Sequence, residues 1–161
     1  MNKYDYDEFK ETTVYVETNS GKRKVPAIAN DLTISLGLAV TMAEFGYFEV
    51  THIKTGMRLG YQSERAVSAL LTLSQFALIA HKHGFNWDDL DKDKAIKKIS
   101  EIGDEPVPFE GRTKTTKGRI DKIKISEWID SARVFNCIGE FPWEEFRPRD
   151  QAIKNLSKIF D

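Results

Sequence analysis

Hydrophobic positions are densest between residues 63 and 83. There Val67, Ala69, Leu70, Leu71, Leu73, Phe76, Ala77, Leu78, Ile79 and Ala80 leave no wholly polar face. A surface helix carries one apolar stripe, whereas a helix apolar on all sides is buried. The pattern predicts a central helix over 63–83, capped by Ser63 and ended by Gly84 behind the cationic Lys82. Two β-rich runs precede it, 47–53 and 57–61, separated by the turn Lys54-Thr55-Gly56. In the first run Phe48, Val50 and His52 share one face, and Tyr47, Glu49, Thr51 and Ile53 share the other.

The same reading gives an earlier hairpin. Residues 12–18 are β-branched and aromatic, Asn19-Ser20-Gly21 is turn chemistry, and 24–28 returns as a second strand. Pro26 cannot donate to a ladder, so that strand is expected at an edge or to end there. Residues 4–10 read as a loose arm or short helix. The apolar run in 32–45 predicts a helix capped by Asp31 and stopped by Gly46. Residues 86–91 read as a polar connector into a short amphipathic helix over 92–102, with Ala95, Ile96, Ile99 and Ile102 facing inward. Two further helices are expected over 126–135 and 149–159. The class is α+β: a small, mainly antiparallel sheet of two hairpins packed on a central buried helix with satellite helices. Pro106, Pro108 and Gly111 suggest a boundary between a core, 1–103, and a C-terminal subdomain, 104–161, within one compact unit.

Length and composition change this picture little. A chain of 161 residues, 40% hydrophobic and 30% charged, fits one globular domain. Its apolar runs fall short of the roughly 20 residues that span a bilayer. The acidic, aromatic N-terminus is unlike a secretory signal. The lone Cys137 excludes an internal disulfide, and a cytoplasmic location is the simplest expectation.

Charge is more informative. The net value of −1 hides a segment, 112–124, where Arg112, Lys114, Lys117, Arg119, Lys122 and Lys124 face only Asp121. Cations spaced by threonines and glycines suit phosphate contacts, although no aromatic is interleaved for base stacking. A second candidate surface lies in 140–148, where Trp143, Phe146 and Arg147 stand among acids. Aromatic and arginine residues of this kind are enriched at interface hot spots.

Reactive chemistry is harder to find. Asp89, Asp91 and Asp93 alternate as in a calcium loop. However, Lys94 stands where that loop needs glycine and Ser100 where it needs a bidentate glutamate. These acids are expected to cap the following helix. His81 and His83 are two apart, which on a helix places them on different faces. Cys137 lies in an apolar setting, and neither a nucleophile elbow nor a phosphate-binding glycine loop is present. No catalytic residue, metal or cofactor is expected.

The hairpin phrase Phe48-Glu49-Val50-Thr51-His52-Ile53-Lys54-Thr55-Gly56 resembles openings found in small phage and mobile-element proteins, a group that includes anti-CRISPR and other anti-defence inhibitors. The resemblance implies a non-catalytic binding protein that occludes a surface of a host protein or ribonucleoprotein complex. The alternative expectation is a nucleic-acid-binding accessory protein using 112–124. A small enzyme without a recognisable motif is the third.

Overall fold

The computed structural model describes residues 8–109, 123–136 and 148–160. Strands β1 (Lys10–Thr18), β2 (Gly21–Ala29), β3 (Leu38–Glu44), β4 (Tyr47–His52) and β5 (Met57–Ser63) form one antiparallel sheet in sequence order. The helices among the described residues are α1 (Asp31–Ser35), α2 (Ala66–His83), α3 (Lys92–Ile102), α4 (Ile125–Asn136) and α5 (Pro148–Phe160). This is the α+β class read from the sequence. No described helix is long and apolar enough to cross a membrane.

The organising helix is α2. Every residue from Ser68 to Ala80 is buried, because the sheet lies against it and α4 and α5 pack on it as well. Polar members of the run find partners, except Ser68, whose buried Oγ has none among the described residues. Thr72 donates to the Ser68 carbonyl at 3.1 Å and Ser74 to the Leu71 carbonyl at 2.7 Å. Asn155 of α5 then donates to Ser74 Oγ at 3.1 Å. The helix ends at Gly84 in the left-handed conformation, as expected, but it starts late. Ser63 is the last residue of β5, paired with Phe48, and is no cap; the N-cap position is Arg65.

The larger correction concerns 32–45. Only α1 is helical there, and its cap is Asn30, whose Oδ1 accepts from the Thr33 N–H at 2.8 Å. Leu38–Glu44 is the central strand β3. Leu38, Ala39, Val40 and Thr41 are all fully buried. A strand covered on both faces reads as a continuous apolar run, which periodicity cannot separate from a buried helix. Gly37 makes the change of direction. Its φ is +76°, and an added Cβ would lie 2.8 Å from the Asp88 nitrogen.

Smaller corrections follow from packing. The connector 86–91 carries Trp87, which is buried edge-on against Phe76 and Phe85 and donates Nε1–H to the Phe76 carbonyl at 3.0 Å. In α3, Ala95 and Ile102 are buried, but Ile96 is half exposed. Pro26 belongs to an interior strand: β2 lies between β1 and β3. It is tolerated because the β2–β3 ladder consists of Ala27↔Thr41 and Ile28↔Val40, and Pro26 lies just past it.

That short ladder also shapes the sheet. Beyond it the β1–β2 hairpin curls over the face turned away from α2, enclosing a second small core of Ala27, Ala29 and Ala39 with Val14 and Ile53. The curl is clasped where the Glu17 N–H donates to the Gly56 carbonyl at 2.9 Å. Gly56 has φ +73°, and an added Cβ would sit 2.8 Å from the Glu17 nitrogen, so a side chain there would force the clasp apart.

Candidate functional site

The curled sheet leaves its concave face open at one end. The opening is a cleft of about 1040 Å³ between the tip of the β1–β2 hairpin and strands β3, β4 and β5. Its walls include Glu17, Arg23, Glu44, Phe45, Arg58 and Gln62, with Glu49 among them.

Strand alternation explains why Glu49 points this way. Val50 and His52 face α2 and Trp87, so Glu49 and Thr51 face the concavity. Both ladders around Glu49 are irregular. On one side, Thr41↔Glu49 is followed by Glu44↔Tyr47, which inserts one extra residue in β3. On the other, Val50↔Leu59 is followed by Phe48↔Ser63, so two steps of β4 oppose four of β5. Bulges bend a strand and re-aim its side chains, and they are frequent beside functional sites. Here the β5 irregularity brings Gln62 to Glu49.

Glu49 is only 6% exposed. Its Oε2 lies 3.4 Å from Gln62 Nε2, which donates to it, and 3.7 Å from Arg58 Nη1. Burial pushes the Glu49 carboxyl above its ordinary value. The Gln62 hydrogen bond and the Arg58 charge pull it back, and the nearby Glu44 charge raises it. Arg23 reaches across the cleft and donates to the Ala43 carbonyl, tying the hairpin to the end of β3. Phe45, on that turn, is 95% exposed at the rim.

Arg112, Lys114, Lys117, Arg119 and Lys122 fall outside the described residues, as do Trp143, Phe146, Arg147 and Cys137. Lys124 is described. It forms a bridge with Pro106 and lies 3.8 Å from Asp104 in an exposed ion pair. Asp91 caps α3, its Oδ1 accepting from the Lys94 N–H at 2.9 Å. Among the described residues no three His, Cys, Asp or Glu side chains are grouped to hold a metal.

His52 is buried with both ring nitrogens engaged. Nε2 donates to the Trp87 carbonyl at 2.5 Å, and Nδ1 is hydrogen-bonded to the Thr55 hydroxyl at 2.8 Å. A carbonyl only accepts, so Nε2 carries a hydrogen. The residue locks the β4–β5 turn to the Trp87 segment and has no capacity left for a ligand.

Sequence reasoning missed Glu49 as a site residue. The available signal was an acid in mid-strand on the face shared with Thr51, opposite Val50. Compared with protein-family models, with curated proteins and with solved structures, the chain has no match.

Proposed function

We propose that the chain is a non-catalytic binding protein. In this reading it is an inhibitor or regulator of the phage or mobile-element type that covers a surface of a host protein or ribonucleoprotein, and the Glu49 cleft is the face it presents. The observation that carries the reading is Phe45, a large aromatic held almost wholly in solvent at the rim of a cleft lined by arginines. Single exposed apolar residues are ordinary. An aromatic beside Arg23 and Arg58, over a concavity, has the composition of an interface hot spot. The tether from Arg23 to the Ala43 carbonyl supports the same reading, because it fixes the rim before a partner arrives and lowers the ordering cost of association.

The test is affinity capture from host cells, with and without nuclease. Three proteins are compared: the wild type, Phe45→Ala, and a quadruple replacement of Arg112, Lys114, Lys117 and Arg119 by Gln. One protein partner should survive nuclease and be lost with Phe45→Ala. The fold of that variant should be unchanged to within about 0.5 kcal/mol. Capture that vanishes with nuclease and with the quadruple variant, yet survives Phe45→Ala, overturns the reading in favour of the nucleic-acid accessory protein. In that case the log–log salt slope should fall by about 0.9 per lost phosphate contact.

A further inference from the structure

We propose that the Glu49 cleft is a receptor for an arginine side chain of the partner protein, with Glu49 and Glu44 receiving the guanidinium and Phe45 stacking on it. The inference rests on the reading of the cleft as the docking face and names the chemistry that docks there.

The argument starts from how Glu49 is held. A carboxylate engaged by a guanidinium in a charge-assisted pair has donors at about 2.7–2.9 Å. Glu49 has Gln62 at 3.4 Å and Arg58 at 3.7 Å, both long. Arg58 is itself half exposed, so its attraction is screened by solvent. A nearly buried acid is therefore left loosely paired in a low-dielectric setting, where a closer cation is worth more than on the open surface.

The other charged groups of the cleft do not fill that role. Arg23 donates through Nη2 to the Ala43 carbonyl, and among the described residues it forms no ion pair with Glu49. Glu17 has Lys92 at 4.0 Å, which removes one acid from the tally rather than supplying a cation to Glu49. Glu44, which resides on the exposed end of β3, adds a second negative charge near Glu49.

The shape favours arginine over lysine. A planar guanidinium can take two carboxylate oxygens at once and lay its face on an aromatic ring, which a compact ammonium does less well. Phe45 supplies that ring at the rim, with Tyr47, half exposed, on the same strand face as Glu49. A cleft of about 1040 Å³ admits the whole side chain together with the backbone that carries it.

The probe is N-acetyl-arginine methylamide, titrated by NMR into the full chain, with the citrulline analogue as its uncharged isostere. Saturable shifts confined to residues around Glu49, Glu44 and Phe45 are expected from arginine and absent with citrulline. Glu49→Gln should weaken that binding about tenfold or more, the loss of a hydrogen bond to a charged group. Glu44→Gln, on the exposed wall, should weaken it less and leave the fold intact, so it guards against a misfolded Glu49 variant.

Equal responses to arginine and citrulline overturn the inference. So does the absence of saturable shifts at the cleft, or a cleft that responds to acetate through Arg23 and Arg58 instead. The two readings fail separately. If Phe45→Ala abolishes capture of the partner while the arginine probe leaves the cleft unmoved, the docking face stands and the arginine assignment falls. If the probe binds and Phe45→Ala leaves capture intact, the cleft takes arginine but is not the docking face, and the assignment to the partner falls with that reading.

Discussion

The two faces of this sheet are built from different side chains, and the difference separates stability from recognition. Toward α2 the sheet presents Leu38, Val40, Val50 and Leu59, which merge with Leu73, Phe76 and Ile79 into the main core. Away from α2 it presents Ala27, Ala29, Ala39, Thr41 and Thr51. Large residues on one face hold a helix. Small ones on the other let a hairpin curl close and leave a cleft at its mouth. Close-packed interiors tolerate little change in volume. Glu49, a charge beneath the curl, has been fitted into the second face rather than the first.

The comparison breaks most visibly on the helix side. Phe76 packs edge-on against both Trp87 and Trp128. Phe76→Ala should cost about 3–5 kcal/mol in reversible denaturation, from lost transfer energy and the cavity left behind. A cost below about 1 kcal/mol would show that α2 is not the organising element.

On the concave side the strongest single change is at the clasp. Gly56→Ala combines a left-handed backbone with a Cβ 2.8 Å from the Glu17 nitrogen. It should cost about 1–3 kcal/mol, a typical range for backbone strain. Loss of the Glu17–Gly56 hydrogen bond should appear as faster exchange of the Glu17 amide. If that amide stays protected, the hairpin is held by something other than the clasp.

The smallest effect sharpens the contrast through pH. Burial raises the Glu49 carboxyl above its ordinary value of 4.5 in the folded protein, despite Gln62 and Arg58. The folded state therefore holds this proton more tightly than the unfolded state. Its contribution to stability is complete below 4.5 and is lost as pH rises through the folded value. Glu49→Gln removes the titrating group, so the variant should gain on the wild type as pH rises through that window. Chemical denaturation at a series of pH values measures this, and a variant that loses ground to the wild type as pH rises would contradict the burial argument.

These faces were unequally legible in the sequence. The α2 side was clear because an all-round apolar run has one physical outcome, and because Lys54-Thr55-Gly56 and Gly84 are unambiguous punctuation. The first strand of the β4–β5 hairpin was read with its faces correctly sorted. Leu38–Glu44 was not, since burial on both faces erases the alternation that marks a strand. Ser63 was misassigned because the β5 irregularity lengthens that strand beyond what its neighbour demands. The concave site was largely hidden. A cleft made by curling depends on a two-pair ladder and a glycine clasp between residues far apart in sequence, and no local pattern announces either. Charge drew attention to 112–124 and aromatics to 140–148, which but for Ile123, Lys124 and Pro148 lie outside the described residues; within the described ones, Phe45 is the most exposed aromatic and Glu49 a buried acid.

The bond from Asn155 to Ser74 has a consequence for the order in which the molecule is made. Helix α2 is covered on one side by α5, whose Ala152, Asn155 and Leu156 are buried in that contact zone. Translation reaches Pro148 only 65 residues after His83. At about 5–20 residues per second, that is roughly 3–13 seconds. During that interval the most apolar of the described helices leaves the ribosome lacking part of its cover. A product cut short before α5 would keep that surface bare, making it a substrate for chaperones and proteases rather than a smaller working protein.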